Sequence, residues 1–220
     1  MKFPNETEEY RMARDRLLKA EIALRKDVEE VAAIRRALPL GGAIPEDYVF
    51  EVGAEARKIK LSEFFGAFDT MVVYNFMYGP KMARPCPMCS SLLDALNGNA
   101  RAIAVRTSLV VVARSPIGRI LEFAQQRGWS NLRLASSAGN RYNLDYHGED
   151  DKGAQLPMLN VFVRRNGTIR HFSGSEMLTA RMGPNQDARH VDMMWPLWNL
   201  LDHTPEGRGA DWYPPLEQPA

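Results

Sequence analysis

Residues 70–90, TMVVYNFMYGPKMARPCPMCS, contain the features that decide the fold of this 220-residue chain. The run from Thr70 to Met77 is apolar and of strand length, which is typical of a strand buried on both faces of a sheet. The only two cysteines of the chain, Cys86 and Cys89, then stand at the start of a helix predicted over about 87–106. The stretch therefore predicts a buried strand followed by a C-x-x-C pair at a helix N-terminus.

This position favours the thiolate form of the first cysteine. The first turn of a helix has unpaired backbone N–H groups and the positive end of the helix dipole, and both stabilise a thiolate. Pro87 suits this turn, where its missing N–H costs no hydrogen bond. Cys89 lies one turn further and can resolve a mixed disulfide formed by Cys86. Lys81 and Arg84 precede the pair, and either cation would lower the pKa of Cys86 further if it folds over the site.

Other roles of the two cysteines stay open at this point. Structural zinc takes four ligands, usually as two close pairs, and no second close pair exists among the four histidines, which are His147, His171, His190 and His203. Copper bound by both cysteines and a distal histidine is another alternative, as are two inert buried thiols. A structural disulfide is disfavoured because it would close a very short loop. We predict no metal and no cofactor.

The remaining predicted elements alternate between strand and helix. Besides the strand at 70–77, strands are predicted at 47–52, 58–61, 108–113, 132–135, 158–163 and 168–172, and helices after Ser115-Pro116 and over about 187–201. Strands that alternate with helices imply parallel pairs, and the last two strands form a hairpin about Asn166-Gly167. The sequence therefore predicts an α/β fold with a central mixed sheet flanked by helices.

The first 38 residues predict a long amphipathic helix. Residues 6–38 contain no Gly or Pro, and small or apolar residues recur every three or four positions, at Tyr10, Ala13, Leu17, Ala20, Leu24, Val28, Val31, Ile34 and Leu38. Such a stripe must be covered, either by the rest of the chain or by a second copy in a homodimer. The predicted organisation is a helical extension at 1–42, a domain at 43–203 and a Pro/Gly-rich tail at 204–220.

Composition and charge indicate which classes of partner and which cellular compartment to expect. The net charge of +1 argues against a nucleic-acid partner, which would favour a basic surface. No apolar run is long enough to span a membrane, and the N-terminus has no apolar segment typical of a secretory signal. We therefore expect a cytoplasmic protein, in a compartment where thiols are kept reduced.

The buried strand, the C-x-x-C helix, the following β-α unit and a Pro-led hairpin together resemble the thioredoxin fold. The resemblance implies that Pro157 is a cis-proline beside the cysteines, and that Pro157, Pro87 and Met88 help to shape a substrate groove. More closely, the chain resembles an uncharacterised bacterial thioredoxin-like family of unknown function with a C-P-x-C motif. The residues that carry this resemblance are Asp47–Phe50, Leu61–Phe65, Tyr74–Pro80, Cys86–Ser90 and Thr204–Gly209.

The chain also departs from related patterns. Thioredoxins have a buried Asp in the strand before the cysteines, whereas the nearest position here is Asn75, which cannot take a proton. Peroxiredoxins place a Pro and a Thr or Ser seven and three residues before the reactive cysteine, where this chain has Gly79 and Ala83. The segment 79–85 is an insertion relative to thioredoxin that could reshape or cover the site.

These observations predict a thiol–disulfide oxidoreductase in which Cys86 is the nucleophile and Cys89 the resolving thiol. Its expected partners are a protein or small-molecule disulfide and a thiol reductant of unknown identity. Two alternatives remain, a non-catalytic interaction protein on a thioredoxin scaffold and a thiol peroxidase.

Overall fold

The computed structural model describes residues 1–176, 180, 183–184, 196–201, 203–204 and 214–216. Most of the predicted tail at 204–220 and the beginning of the helix predicted over 187–201 lie outside these residues. The chain divides into two units, Met1–Pro39 and Leu40–Ala220. Each unit is described by itself below.

The first unit consists mainly of helix α1, Glu8–Arg36. The Thr7 side chain caps the helix by accepting a hydrogen bond from the N–H of Tyr10 (3.2 Å). Acidic residues in the first turn and basic residues in the last turn interact favourably with the helix dipole and stabilise the helix. The helix ends at Ala37, shortly before Pro39, which cannot continue it. None of the described helices, α1 included, is long and apolar enough to cross a lipid bilayer.

The second unit contains the α/β domain. Its strands are β1 (Val49–Val52), β2 (Arg57–Lys60), β3 (Thr70–Phe76), β4 (Ser108–Ala113), β5 (Leu134–Ser136), β6 (Met158–Arg165) and β7 (Thr168–Gly174). Its helices are α2 (Leu61–Phe64), α3 (Pro87–Ile103), α4 (Ile117–Arg127), α5 (Tyr142–Asp145) and α6 (Pro196–Leu201).

The seven strands form one mixed sheet in the order β2-β1-β5-β4-β3-β6-β7. β3 is parallel to β4 and antiparallel to β6, which forms a hairpin with β7. The connection from β3 through α3 to β4, followed by this hairpin beside β3, is the thioredoxin-like arrangement that the sequence predicts. The fold prediction is confirmed, including the helical extension that precedes it.

Strand β3 lies inside the sheet, between β4 and β6, and separates two apolar clusters. Tyr74 and Phe76 belong to the cluster that contains Cys89, whereas Met71 and Val73 belong to the cluster on the other face. Successive side chains of a strand point to opposite faces. Both faces of β3 are therefore covered, which explains its nearly continuous apolar sequence.

Helix α3 passes through Gly98 without interruption, and this residue is exposed. A methyl group at this position would meet no atom within 4 Å. Because glycine loses more backbone entropy on folding than alanine, we expect Gly98→Ala to stabilise the protein by about 0.5–1 kcal/mol. Urea unfolding of both proteins measures this difference. A loss of stability would contradict an exposed, regular helix at this position.

Candidate active site

The first cysteine caps the helix that follows β3. Cys86 is the N-cap residue of α3, and its Sγ accepts a hydrogen bond from the N–H of Cys89 (3.5 Å). The backbone N–H of Cys86 donates to the carbonyl of Met77 just after β3 (3.1 Å). The carbonyl of Cys86 accepts bonds from the N–H (3.0 Å) and the hydroxyl (2.9 Å) of Ser90. Its backbone is thus fixed on both sides, while the side chain stays half-buried.

The environment lowers the pKa of Cys86 from 9.0 to about 6. The largest cause is a hydrogen bond with the Cys89 thiol, and the backbone N–H groups of Cys89 and Met88 add to it, against the opposing effect of burial. The cations Lys81 and Arg84, which the sequence placed near the site, are exposed and are not among these causes. At pH 7 a thiol with this pKa is about nine-tenths thiolate.

The second cysteine has the opposite character. Cys89 is buried, and its pKa is raised by its hydrogen bond to Cys86 and by desolvation. The side chain of Tyr74, also buried, hydrogen-bonds Cys89 and opposes part of this shift. Both thiols are free in this structure. The pair therefore combines a half-buried thiolate with a buried thiol that donates a hydrogen bond to it.

Asn75, predicted as the polar neighbour of the cysteines, lies on the other face of the sheet. It is fully buried, and its amide is so close to Gly148 that a Cβ there would stand 1.8 Å from Asn75 Nδ2. Tyr74, one residue earlier, points to the face that carries α3 and Cys89. The polar group on β3 that reaches the resolving thiol is therefore a phenol and not an amide.

The insertion at 79–85 is held in place by α4. The guanidinium of Arg119 donates to the carbonyl oxygens of Pro80 (3.2 Å) and Met82 (2.6 Å) and lies 4.7 Å above the ring of Tyr78. Ser115 donates its hydroxyl to the carbonyl of Gly79 (3.1 Å). The path of the chain into Cys86 is thus fixed by side chains from the next β-α unit.

Pro157 lies just before β6, at the end of the sheet where β3 leads to the cysteines. Its neighbour Met158 pairs with Asn75 of β3. No peptide bond among the described residues is cis, so the prediction of a cis-proline is wrong. The N–H of Leu156 donates to the carbonyl of Gly148 (3.0 Å), and Gln155 pairs with Glu149. The chain therefore reaches Pro157 already extended, and a trans bond leads directly into β6.

Cys86 packs against the apolar cluster that contains Cys89. Other partly buried side chains that pack against this cluster include Met77, Met82, Met88 and Leu159. Pro87 and Met88 are half-buried in the first turn of α3. Among the residues that the structure describes, no three His, Cys, Asp or Glu side chains are grouped so that they could hold a metal ion.

A large groove lies elsewhere in the domain. It has a volume of about 810 Å³ and is lined by the β1–β2 hairpin, α4 and the segment before β5, and neither cysteine lines it. Its lining contains no cysteine or histidine, and its acidic residues are Glu55 and Glu63. The chemistry therefore centres on the cysteine pair and not on this groove.

Sequence reasoning missed two residues of this site, Tyr74 and Arg119. Alternation along β3 places Tyr74 and Asn75 on opposite faces of the sheet. Because both faces of β3 are apolar in sequence, the pattern does not show which face is covered by α3. Arg119 stands 33 positions after Cys86. Its hydrogen bonds to the insertion are with backbone carbonyls, which leave no signal in the sequence.

Comparisons with known proteins give a family and several similar solved structures. The profile of a family described as "Bacterial protein of unknown function (DUF899)" matches residues 1–218. No curated protein matches the chain. Similar solved structures include PrxQ of Xylella fastidiosa (12% identity, covering 62% of this chain and 84% of that chain, TM-score 0.49). Peroxidoxin BcpB of Mycobacterium tuberculosis is also similar, with 15% identity, coverage of 72% of this chain and 95% of that chain, and a TM-score of 0.46. Thioredoxin peroxidase I of Plasmodium yoelii has 17% identity, coverage of 83% of this chain and 100% of that chain, and a TM-score of 0.45. Function has to come from the site, since one fold hosts many activities.

Proposed function

Because the chain belongs to the bacterial DUF899 family of unknown function, we propose an activity from its site alone, that of a thiol–disulfide oxidoreductase. The observation that carries the proposal is the asymmetry of the two thiols. Cys86 is half-buried with a pKa lowered to about 6, and Cys89 is buried one turn further with a raised pKa. A nucleophilic thiolate beside a protected resolving thiol is the arrangement that disulfide exchange requires.

The reaction begins when the Cys86 thiolate attacks one sulfur of a substrate disulfide. The Cys86–substrate bond forms, the substrate S–S bond breaks, and the departing thiolate takes a proton from water. Cys89 then loses its proton to solvent, and its thiolate attacks Cys86 Sγ. The second substrate thiolate leaves, and the Cys86–Cys89 disulfide remains. Two electrons have passed to the substrate.

The protein returns to its reduced form when an external dithiol transfers two electrons to the Cys86–Cys89 disulfide. We propose that a thiol reductant of a reducing compartment such as the cytoplasm supplies them. The half-buried Met88 in the helical turn that Cys86 caps supports a protein or peptide disulfide as substrate, because it offers apolar contact area next to the reactive cysteine in the chain. Backbone N–H groups of the first α3 turn support the charge of the attacking thiolate.

Tyr74 is a positioning residue in this scheme. Before the reaction, the Cys89 thiol donates a hydrogen bond to the Cys86 thiolate. Once Cys89 has lost its proton, the Tyr74 hydroxyl is the side-chain donor placed to stabilise the new thiolate, because it opposes the rise in the pKa of Cys89. The second step therefore depends on a neutral phenol, and burial raises the pKa of Tyr74 and keeps it neutral.

The test is to trap the mixed disulfide. Cys89→Ala cannot complete the second step. Incubation of this variant with native insulin or oxidised glutathione at pH 8 is therefore expected to accumulate a covalent adduct on Cys86, detected by intact mass spectrometry. The wild type, given dithiothreitol, is expected to turn over without such an adduct. Cys86→Ser is the matched control and is expected to form none. Absence of the adduct in Cys89→Ala, with Cys86 still open to alkylation, would favour a non-catalytic scaffold.

The wild type, Cys89→Ala and Cys86→Ser also distinguish a thiol peroxidase from the proposed oxidoreductase. A thiol peroxidase would consume hydrogen peroxide in a reaction that depends on Cys86, and oxidation would produce a sulfenic acid on this residue. Peroxide consumption without adduct formation from either disulfide would replace the proposed reaction with this one.

A further inference from the structure

We propose that α1 forms a parallel two-stranded coiled coil with α1 of a second copy of this chain. None of the side chains of α1 is buried. Its large apolar residues are exposed by 38–60%, from Val28 at the lower end to Met12, Leu24 and Ile34 at the upper end. In proteins most of the stability of a helix comes from packing of its apolar face, and no side chain of the 29-residue α1 is buried in one copy of the chain. The inference does not depend on the proposed redox function.

Most of the large apolar residues of α1 follow the spacing of a heptad, whereas Met12, Leu18 and Ile22 lie on its other faces. Positions a are occupied by Tyr10, Leu17, Leu24 and Val31, which follow one another at steps of seven, and Leu38 continues the spacing just beyond the end of α1. Positions d are occupied by Ala13, Ala20, Asp27 and Ile34, again at steps of seven. A seven-residue repeat keeps one seam of a helix facing its partner along its whole length by left-handed supercoiling.

The residues beside this seam determine the partner and its direction. In a parallel pair, each g residue faces the e residue five positions later in the other copy. The resulting pairs are Glu9 with Arg14, Arg16 with Glu21, Ala23 with Val28, and Glu30 with Arg35. Three pairs join opposite charges and the fourth joins two apolar side chains. This charge complementarity identifies a second α1 as the occupant of the seam.

The antiparallel alternative has less of this complementarity, because only Arg16 and Glu30 would join opposite charges there. In that arrangement e residues face e residues and g residues face g residues. When two antiparallel helices overlap along their full length, the central e residue, Glu21, faces its own copy. Each direction therefore has one like-charge contact, Glu21 with Glu21 when antiparallel and Asp27 with Asp27 when parallel. The parallel direction is favoured because it joins opposite charges in three kinds of pair and the antiparallel direction in one.

Two features limit the strength of the dimer. Ala13 and Ala20 bury little area at d, and a parallel pair brings two Asp27 carboxylates together across the seam. A polar residue at a core position costs stability while it fixes the register. We therefore expect Asp27→Leu to lower the dimer dissociation constant at least tenfold.

The first measurement is the mass in solution as a function of concentration, by sedimentation equilibrium. The wild type is expected to dimerise, and Arg16→Glu, which places like charges in two pairs of each dimer, to raise the dissociation constant about tenfold. Arg16→Glu combined with Glu21→Arg restores opposite charges and is expected to recover most of the affinity. Lys19→Glu makes the same charge change away from the seam and is the matched control, with circular dichroism confirming its helix content.

The second measurement establishes the direction of the helices. In a Cys86→Ser/Cys89→Ser background, Leu17→Cys is expected to form a disulfide between two copies on air oxidation, because a residues face each other only in a parallel pair. Lys19→Cys is the control and is expected to remain unlinked. A monomer at all concentrations, or a dimer unaffected by Arg16→Glu and Asp27→Leu, overturns the proposal. A dimer in which Leu17→Cys does not cross-link overturns the parallel arrangement.

Discussion

Replacement of Cys86 with serine is expected to lower the rate of disulfide reduction at least a thousandfold. A serine hydroxyl is not ionised near neutral pH and cannot replace a thiolate that forms a covalent intermediate, and removal of a catalytic nucleophile costs about 10³-fold or more. The substitution is nearly isosteric at the N-cap, where serine is also a preferred residue. The initial rate of insulin reduction measures the effect, with circular dichroism to confirm folding. A rate within threefold of the wild type would rule out Cys86 as the nucleophile.

The pH dependence of the wild type provides a second readout of the same prediction. Because the pKa of Cys86 is lowered to about 6, the reactive thiolate is present above this pH and is lost as the pH falls through it. Alkylation by iodoacetamide is therefore expected to rise between about pH 5 and pH 7 and then level off, whereas an ordinary thiol titrates near 8.5.

Variants at position 89 test the cause of this lowered pKa. Cys89→Ala removes the largest stabilising hydrogen bond and is expected to shift the alkylation midpoint upward. Cys89→Ser keeps a hydroxyl donor at the same place and is expected to shift it less. Equal midpoints in the wild type and Cys89→Ala would contradict the hydrogen bond between the two thiols.

Gly148→Ala is expected to destabilise the protein by about 2–3 kcal/mol, a typical cost of overpacking a core. A Cβ at this position would stand 1.8 Å from Nδ2 and 2.8 Å from Cγ of Asn75, and also 3.1 Å from Nδ2 of Asn143. Both asparagines are buried, so neither side chain can swing into solvent to make room. Urea unfolding and the melting temperature measure the effect.

Gly98→Ala is the matched control for this substitution. It is chemically the same change, but its Cβ meets nothing within 4 Å, and its expected effect has the opposite sign. If both variants gained stability, the close contact between Gly148 and Asn75 would be excluded.

The fold was largely predictable from the sequence because its signals are local. The apolar runs of β3 and β4 mark buried strands directly, and Cys86-Pro87 before an apolar periodicity marks a helix start. The site itself was predictable only in part. The lowered pKa of Cys86 follows from its place at a helix N-terminus, but its largest cause, the Cys89 thiol, depends on the rotamers of both side chains.

The remaining errors concern contacts between distant segments. The assignment of Asn75 to the cysteines failed because the sequence of β3 does not show which face α3 covers. The cis-proline prediction for Pro157 came from a resemblance, whereas pairing between Gln155 and Glu149 determines the local path. The antiparallel pairing of β1 with β5, Glu51 opposite Ser136, also joins segments that no local pattern connects.

Arg119 holds the segment before Cys86 through its backbone, and this determines which side chains of the segment can change during evolution. Its guanidinium binds main-chain carbonyls of Pro80 and Met82, and every residue type provides a carbonyl. The exposed side chains of Pro80, Lys81 and Ala83 can therefore change while the chain keeps the same course into Cys86. Homologues could acquire different substrate preferences through these side chains without rebuilding the nucleophile, so long as an arginine at position 119 persists.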